Sequence, residues 1–289
     1  MDERAALRLI AGTVGDADDD AAVVDGTVVS TDMLHEATDF PSGTTRYTAG
    51  WRAVGASLSD VAAMGARATA AVAVYAAPTF ESAELDAFLD GATAVCERVG
   101  ARYVGGDLDT HREFTVATTA LGETDAPVSR SEASPGETLC VTGTLGRSAA
   151  AVRLFERGDA TRANALFQFV PRVAAGRALA PHATAMMDSS DGLARSLHQL
   201  AEASDCGFAV RGDDVPIDEA VHRVADDEAG VRELGLFFGE DFELVFTTDD
   251  VAAARDASPT PVTVVGEVTG AGVELDGEPM PDRGYTHGA

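Results

Sequence analysis

Apolar and polar positions along this chain form short runs whose period switches repeatedly between two and about 3.6 residues. Ala21–Thr31 holds two apolar runs around Asp25-Gly26, the composition of a two-residue hairpin turn. Residues 1–11 predict a short helix, and residues 47–65 have helical spacing. Ala68–Ala76 reads as a buried strand, and residues 81–100 predict a helix that stops at Gly100. Tyr103–Val104 then meets Gly105-Gly106-Asp107, which reads as a turn, before a strand at Phe114–Leu121. Ser134-Pro135-Gly136 is the turn best suited to a domain junction.

The second half repeats the alternation. A strand is expected at Thr138–Val141, a helix at Ser148–Arg157, and a polar connector over 158–171 leading into a helix at 171–180. A short strand to Asp188, a helix at 191–204, strands at 207–211, 243–248 and 262–268, and a hairpin at Asp276-Gly277 complete the pattern. Strands and helices mixed in both halves predict the α/β (α+β) class, with two domains at 1–134 and 135–289.

Composition narrows what those domains do. Of 289 residues 45% are apolar, so a sizeable core is possible, built mainly from alanine and valine because aromatics are few. No run of about 18 apolar residues occurs and the N-terminus lacks a secretory pattern, so the protein is expected to be cytoplasmic, with no membrane partner. Cys96, Cys140 and Cys206 are widely spaced, lie in apolar patterns and form no CxxC pair; they read as small buried apolar residues. The net charge is −27 and the acids are dispersed, which reads as surface solvation for work in concentrated salt and disfavours a nucleic-acid partner.

All 21 basic residues are arginine. With no lysine there is no Walker-A loop, no pyridoxal Schiff base and no lysine-based protein-kinase site. A protein of this composition that handles nucleotide phosphates must use metals, arginine and backbone amides. The chain carries a matching set of aspartates: Asp18-Asp19-Asp20, Ser30-Thr31-Asp32, Ser59-Asp60, Gly106-Asp107 and Asp188-Ser189-Ser190-Asp191-Gly192. Hard divalent cations take such oxygen ligands, and clustered carboxylates without a cation repel one another. Singly, each has a plainer reading as a strand exit, a polar step in a helix, a helix cap or a solvated loop; their order is the signal.

That order resembles the thiamine-monophosphate kinases, within a superfamily that also holds aminoimidazole ribonucleotide synthetase and selenophosphate synthetase. The most specific stretches are Leu58-Ser59-Asp60-Val61-Ala62-Ala63-Met64-Gly65-Ala66 and Phe238-Gly239-Glu240-Asp241-Phe242-Glu243-Leu244. Asp19-Asp20-Ala21, Val29-Ser30-Thr31-Asp32, Val104-Gly105-Gly106-Asp107, Arg130-Ser131, Val141-Thr142-Gly143 and Met187-Asp188-Ser189-Ser190-Asp191-Gly192 corroborate them.

The resemblance implies phosphorylation of thiamine monophosphate by ATP in an N-terminal ATP- and magnesium-binding, dimerising domain followed by a C-terminal α/β domain, in a homodimer. It implies Mg2+ on Asp20, Ser30, Thr31, Asp32, Asp60, Asp107, Asp188 and Asp191. Nucleotide contacts fall to Ser30, Thr31, Gly106, Arg130 and Ser190, and the catalytic work to Asp32, Asp60, Asp107 and Arg130. Substrate contacts fall to Asp39, Glu240 and Tyr285.

Two positions depart from the family pattern. Asp18 stands where a glycine usually opens the first motif. Asp39-Phe40 replaces a histidine–phenylalanine pair, with His35 nearby, and an anion at position 39 suits a cationic thiazolium. Trp51 reads as packing, and His111 and His198 as exposed surface. A phosphate monoester is already ionised at neutral pH, with its second pKa near 6, so direct in-line transfer without a general base is expected. The rival readings are another ATP-using enzyme of the superfamily, of the purine-biosynthesis synthetase type, and a non-catalytic halophilic cation-binding module. Selenophosphate synthetase is disfavoured because no cysteine precedes Cys96.

Overall fold

The structure is a computed structural model that describes residues 9–10, 12–14 and 19–285. Asp18 and most of the helix expected at 1–11 lie outside the described residues; residues 9–10 and 12–14 are helical.

The Asp25-Gly26 turn joins β1 (Ala22–Val24) to β2 (Thr27–His35), and both turn residues have positive φ, 51° and 77°, as this tight hairpin requires. A one-turn helix α1 (Glu36–Asp39) follows, then α2 (Arg46–Ala63), β3 (Arg67–Ala77), α3 (Ser82–Arg98), β4 (Arg102–Thr110) and β5 (Thr115–Glu123). The strands form a five-stranded sheet in the order β1-β2-β5-β3-β4, antiparallel except where β3 meets β4. Helix α2 is buried along most of its length, as its alanine, valine and glycine content demands. It lies close against α3: a Cβ on Gly50 would sit 2.2 Å from the Phe88 carbonyl oxygen, and one on Gly91 2.0 Å from that of Tyr47.

The second half contributes β6 (Thr138–Thr142), α4 (Arg147–Glu156), α5 (Ala160–Phe167), α6 (Val173–Leu179), β7 (Ala185–Asp188), α7 (Leu193–Ser204) and β8 (Gly207–Val210). It continues with α8 (Glu219–Val224), α9 (Glu228–Leu236), β9 (Leu244–Thr248), α10 (Val251–Ala257), β10 (Val262–Thr269), β11 (Gly272–Leu275) and β12 (Glu278–Pro279). These strands make a seven-stranded sheet ordered β12-β11-β8-β10-β6-β9-β7. The halves share a core, since Cys140, Val173, Leu179, Met186 and Phe246 pack in the same cluster as Val54, Leu58 and Val61 of α2. The two sheets thus enclose α2, and the end of α2 meets the end of β7. All three cysteines are buried.

Several local expectations are corrected. Gly105-Gly106-Asp107 is the middle of strand β4, because a glycine at 106 lets β4 lie against β3: a Cβ there would stand 1.7 Å from the Ala73 carbonyl oxygen. The polar stretch 158–171 contains α5, started by the Asp159 side chain accepting from the Arg162 N–H. Helices α8, α9 and α10 were not legible as elements. His198 is half-buried and bonded through Nε2 to the Met280 carbonyl at 2.9 Å, whereas His111 is exposed. Trp51 packs as expected, its indole N–H donating to the Phe169 carbonyl.

Candidate active site

Three of the aspartates meet where the sheets and α2 converge. Asp20 sits just before β1, Asp60 in the last turn of α2 and Asp188 at the end of β7; one carboxylate oxygen from each lies within 4.8 Å of the others. Hydroxyls line the same spot. Ser30, from mid-β2, donates to Asp60 Oδ2, and Ser59 donates to Asp188 Oδ2 at 2.6 Å. Arg130 forks onto Asp20, Nε to Oδ2 at 3.0 Å and Nη2 to Oδ1 at 2.8 Å, and its backbone N–H reaches Asp19 Oδ1 at 2.7 Å.

The electrostatics of this cluster are unbalanced. Burial, then the negative charges of Asp188 and Asp20, push the Asp60 carboxyl well above the usual carboxylate range. Burial and the charge of Asp20 likewise raise Asp188. Arg130 offsets one charge of the three. Asp188 Oδ1 and the Ser189 hydroxyl are buried without a hydrogen-bond partner among the described residues. Buried polar atoms without partners are costly, and a carboxylate oxygen left open beside two other carboxylates is what a hard cation would satisfy. The donor set therefore fits magnesium. Helix α7 starts after Gly192, an N-cap residue with no side chain to bond its first turn.

Other members of the predicted set stand around this core. Asp32 shares the inner face of β2 with Ser30 and acts electrostatically on Asp60; Asp191 acts in the same way on Asp188. Ser190 lies in the loop between them, where its carbonyl accepts the Glu240 N–H at 2.6 Å. Thr31 points to the opposite, exposed face of β2, its hydroxyl bonded to the Thr118 carbonyl at 2.8 Å. Gly106 and Asp107 are not brought to the cluster. They lie on exposed edge strand β4, with β5 and β3 between them and β2, about 14 Å away at ordinary strand spacing.

The three predicted substrate residues do come together. Asp39, Glu240 and Tyr285 line one cavity of about 440 Å³, walled by aromatics that include Phe40, Phe155 and Phe167. The Tyr285 hydroxyl donates to Asp39 Oδ1 at 2.7 Å, while Asp39 Oδ2 accepts from the His35 N–H at 2.7 Å and the Thr38 hydroxyl at 2.8 Å. The His35 ring turns away to Thr115. The Tyr285 N–H also reaches the Asp191 carbonyl at 3.1 Å, so cavity and carboxylate cluster share a wall.

The specific 238–244 segment spends its acids on architecture as well. Asp241 Oδ1 accepts from the Ser148 N–H at 3.0 Å, and Oδ2 accepts from that of Gly146, at the start of α4; burial nevertheless pushes its carboxyl up to about 7. Glu243 takes a two-pronged bond from Arg172 and one from the Thr142 hydroxyl at 2.7 Å. Glu240 is paired with Arg52, a buried arginine of α2 that sequence reasoning passed over. Its signal was a lone cation inside the small apolar run Gly50–Leu58.

Comparison with known proteins agrees along the whole length. Residues 18–124 match the family described as AIR synthase related protein, N-terminal domain, and residues 134–276 its C-terminal domain. The chain is 62% identical over 291 residues to a thiamine-monophosphate kinase of Halobacterium salinarum, covering 99% of this chain and 100% of the relative. It is 39% identical to one of Methanospirillum hungatei, with 99% of each covered. A solved structure described as AaThiL complexed with AMPPCP and TMP superposes with a TM-score of 0.89 at 26% identity, covering 99% of this chain and 97% of that one. The chain belongs to the thiamine-monophosphate kinase family of AIR synthase-related proteins.

Proposed function

We propose that this protein transfers the γ-phosphoryl group of ATP to thiamine monophosphate, giving ADP and thiamine diphosphate. The observation that carries this reading is the shared wall: an aromatic, acid-lined cavity joined through Ser190, Asp191, Glu240 and Tyr285 to a buried carboxylate cluster. Such a cavity suits a flat cationic ring, and such a cluster suits metal-bound phosphates. The names of the full-length relatives, and the ATP analogue and TMP named for the solved neighbour, support it and leave the synthetase and non-catalytic readings without ground.

In this reading Asp20, Asp60 and Asp188 hold magnesium, with Asp32, Asp191 and the Ser30 hydroxyl as further ligands. Magnesium, when bound, neutralises the phosphate oxygens and the charge that shifts during transfer. Arg130 orients Asp20 and adds a positive charge beside the phosphates, and Ser190 lies where a phosphate oxygen would rest. Asp39, Glu240 and Tyr285 seat the acceptor so that its already ionised phosphate points at the cluster. The chain's own contribution is positioning and charge compensation, with no base needed and a direct in-line transfer.

A homodimer belongs to the same proposal. The outer face of the N-terminal sheet carries Met33 and Val74, each at least 40% exposed. Thr31 and Asp107 share that face. A second copy covering it would bury the apolar residues and complete a nucleotide site with Gly106, Asp107 and Thr31. We propose the division at 134/135 as well; the Ser134–Gly136 turn, which lies between the last strand of one sheet and the first of the other, supports it. No helix among the described residues is long and apolar enough to cross a membrane, and we place the reaction in the cytoplasm, where ATP is supplied.

The test is ADP release in molar KCl with and without thiamine monophosphate and MgCl2. Release that requires both is expected; release indifferent to thiamine monophosphate would refute the assignment.

A further inference from the structure

Arg52 is 2% exposed and sits on α2, about two helical turns before Asp60. Its guanidinium donates to Glu240 Oε2, to the Phe167 carbonyl and, at 3.2 Å, to the Ser148 hydroxyl. Its Cζ lies 3.5 Å from the Phe167 ring centroid. Glu240 and Phe167 both line the cavity; Arg52 stands behind them.

Glu240 needs such an anchor. Its φ is 63°, a conformation unfavourable for a residue with a Cβ. Its backbone is pinned by its N–H to the Ser190 carbonyl and by the Ser148 hydroxyl on its own carbonyl. That leaves the carboxylate direction to be set by Arg52. The guanidinium serves the carboxylate from one nitrogen and the carbonyl and hydroxyl from another, in a fixed planar fork that the single ammonium of a lysine does not reproduce.

We propose that Arg52 is a positioning residue for the acceptor substrate. It holds Glu240 and the Phe167 wall in place across the two halves of the chain, and it ties the acceptor cavity to the helix that carries Asp60. This rests on the kinase reading above and adds the residue that orients its acceptor pocket.

The test is steady-state kinetics of Arg52→Lys, Arg52→Met, Glu240→Gln and the Arg52→Met/Glu240→Gln double variant in molar KCl, with melting curves alongside. Wild-type activity dependent on thiamine monophosphate is the control that secures the underlying reading; its absence would overturn that reading rather than this one. With wild type active, Arg52→Lys and Arg52→Met are expected to raise KM for thiamine monophosphate by about tenfold or more, with KM for ATP within about twofold. The lysine variant should lie between the wild type and the methionine variant. The double variant should be no worse than the worse of the two single variants, because Arg52 acts through the Glu240 carboxylate. An Arg52→Lys variant with unchanged KM for thiamine monophosphate, an equal rise in KM for ATP, or fully additive losses in the double variant would overturn the proposal. Should Arg52→Met fail to fold, Arg52→Lys alone decides by the same KM comparison.

Discussion

The Tyr285 hydroxyl donates to the Asp39 carboxylate at 2.7 Å, joining the C-terminal segment to the one-turn helix α1 across nearly the whole chain. The Asp39 carboxylate is thus held on one oxygen by Tyr285 and on the other by the His35 backbone and Thr38. Tyr285→Phe keeps the aromatic wall and removes one bond to a charged group, a loss of about 1 kcal/mol at this half-buried position. KM for thiamine monophosphate is expected to rise about three- to tenfold with kcat little changed. Equal kinetics for the variant would show that the bond contributes nothing to acceptor binding.

Asp60→Asn removes one acid from three carboxyl groups that crowd within 4.8 Å. Without magnesium the variant should be more stable than the wild type by about 1–2 kcal/mol, a few degrees in Tm for a protein of this size. Millimolar MgCl2 should raise the Tm of the wild type and leave the variant nearly unmoved, and turnover should fall at least about a hundredfold. Melting curves with and without MgCl2 at fixed KCl check the first two. A variant that still responds to magnesium and turns over normally would remove Asp60 from the site.

With a net charge of −27, the fold should depend on salt. In molar salt the screening length is about 3 Å, against about 10 Å at 0.1 M, so self-repulsion grows on dilution. The ion pairs at Arg67–Glu123, Arg211–Asp214 and Arg223–Glu219 are exposed and offset little of it. The Tm is expected to climb steadily from low to molar KCl. A flat profile would mean that the acids are not a salt adaptation.

Val74→Arg places a charge at the centre of the outer sheet face, where Val74 is 40% exposed and contributes little to the core. In the proposed dimer it would leave the monomer folded, shift sedimentation to the monomer and lower activity at least about tenfold by withdrawing Asp107 from the site. A wild-type chain that sediments as an active monomer would contradict the dimer.

The sequence by itself determined the class of fold, most strands and the long helices, because a helix or strand buried on one face writes its period into neighbouring residues. It also picked out the aspartates and three residues that line one cavity, Asp39, Glu240 and Tyr285, through family motifs rather than through spacing. Only the tertiary structure decided which of them meet. Asp20, Asp60 and Asp188 converge because a loop, a helix end and a strand end are brought to one place by two sheets packed on α2. Asp107 stands apart because strand order puts β5 and β3 between it and β2. Gly105-Gly106-Asp107 resembled a turn, since glycine permits one; the close approach of Ala73, invisible along the chain, made it strand. Arg52 and Glu240 show the limit most plainly. Arg52 is an ordinary charged residue in sequence, and only the packing of α2 against the 238–244 segment buries it and makes it the partner of Glu240.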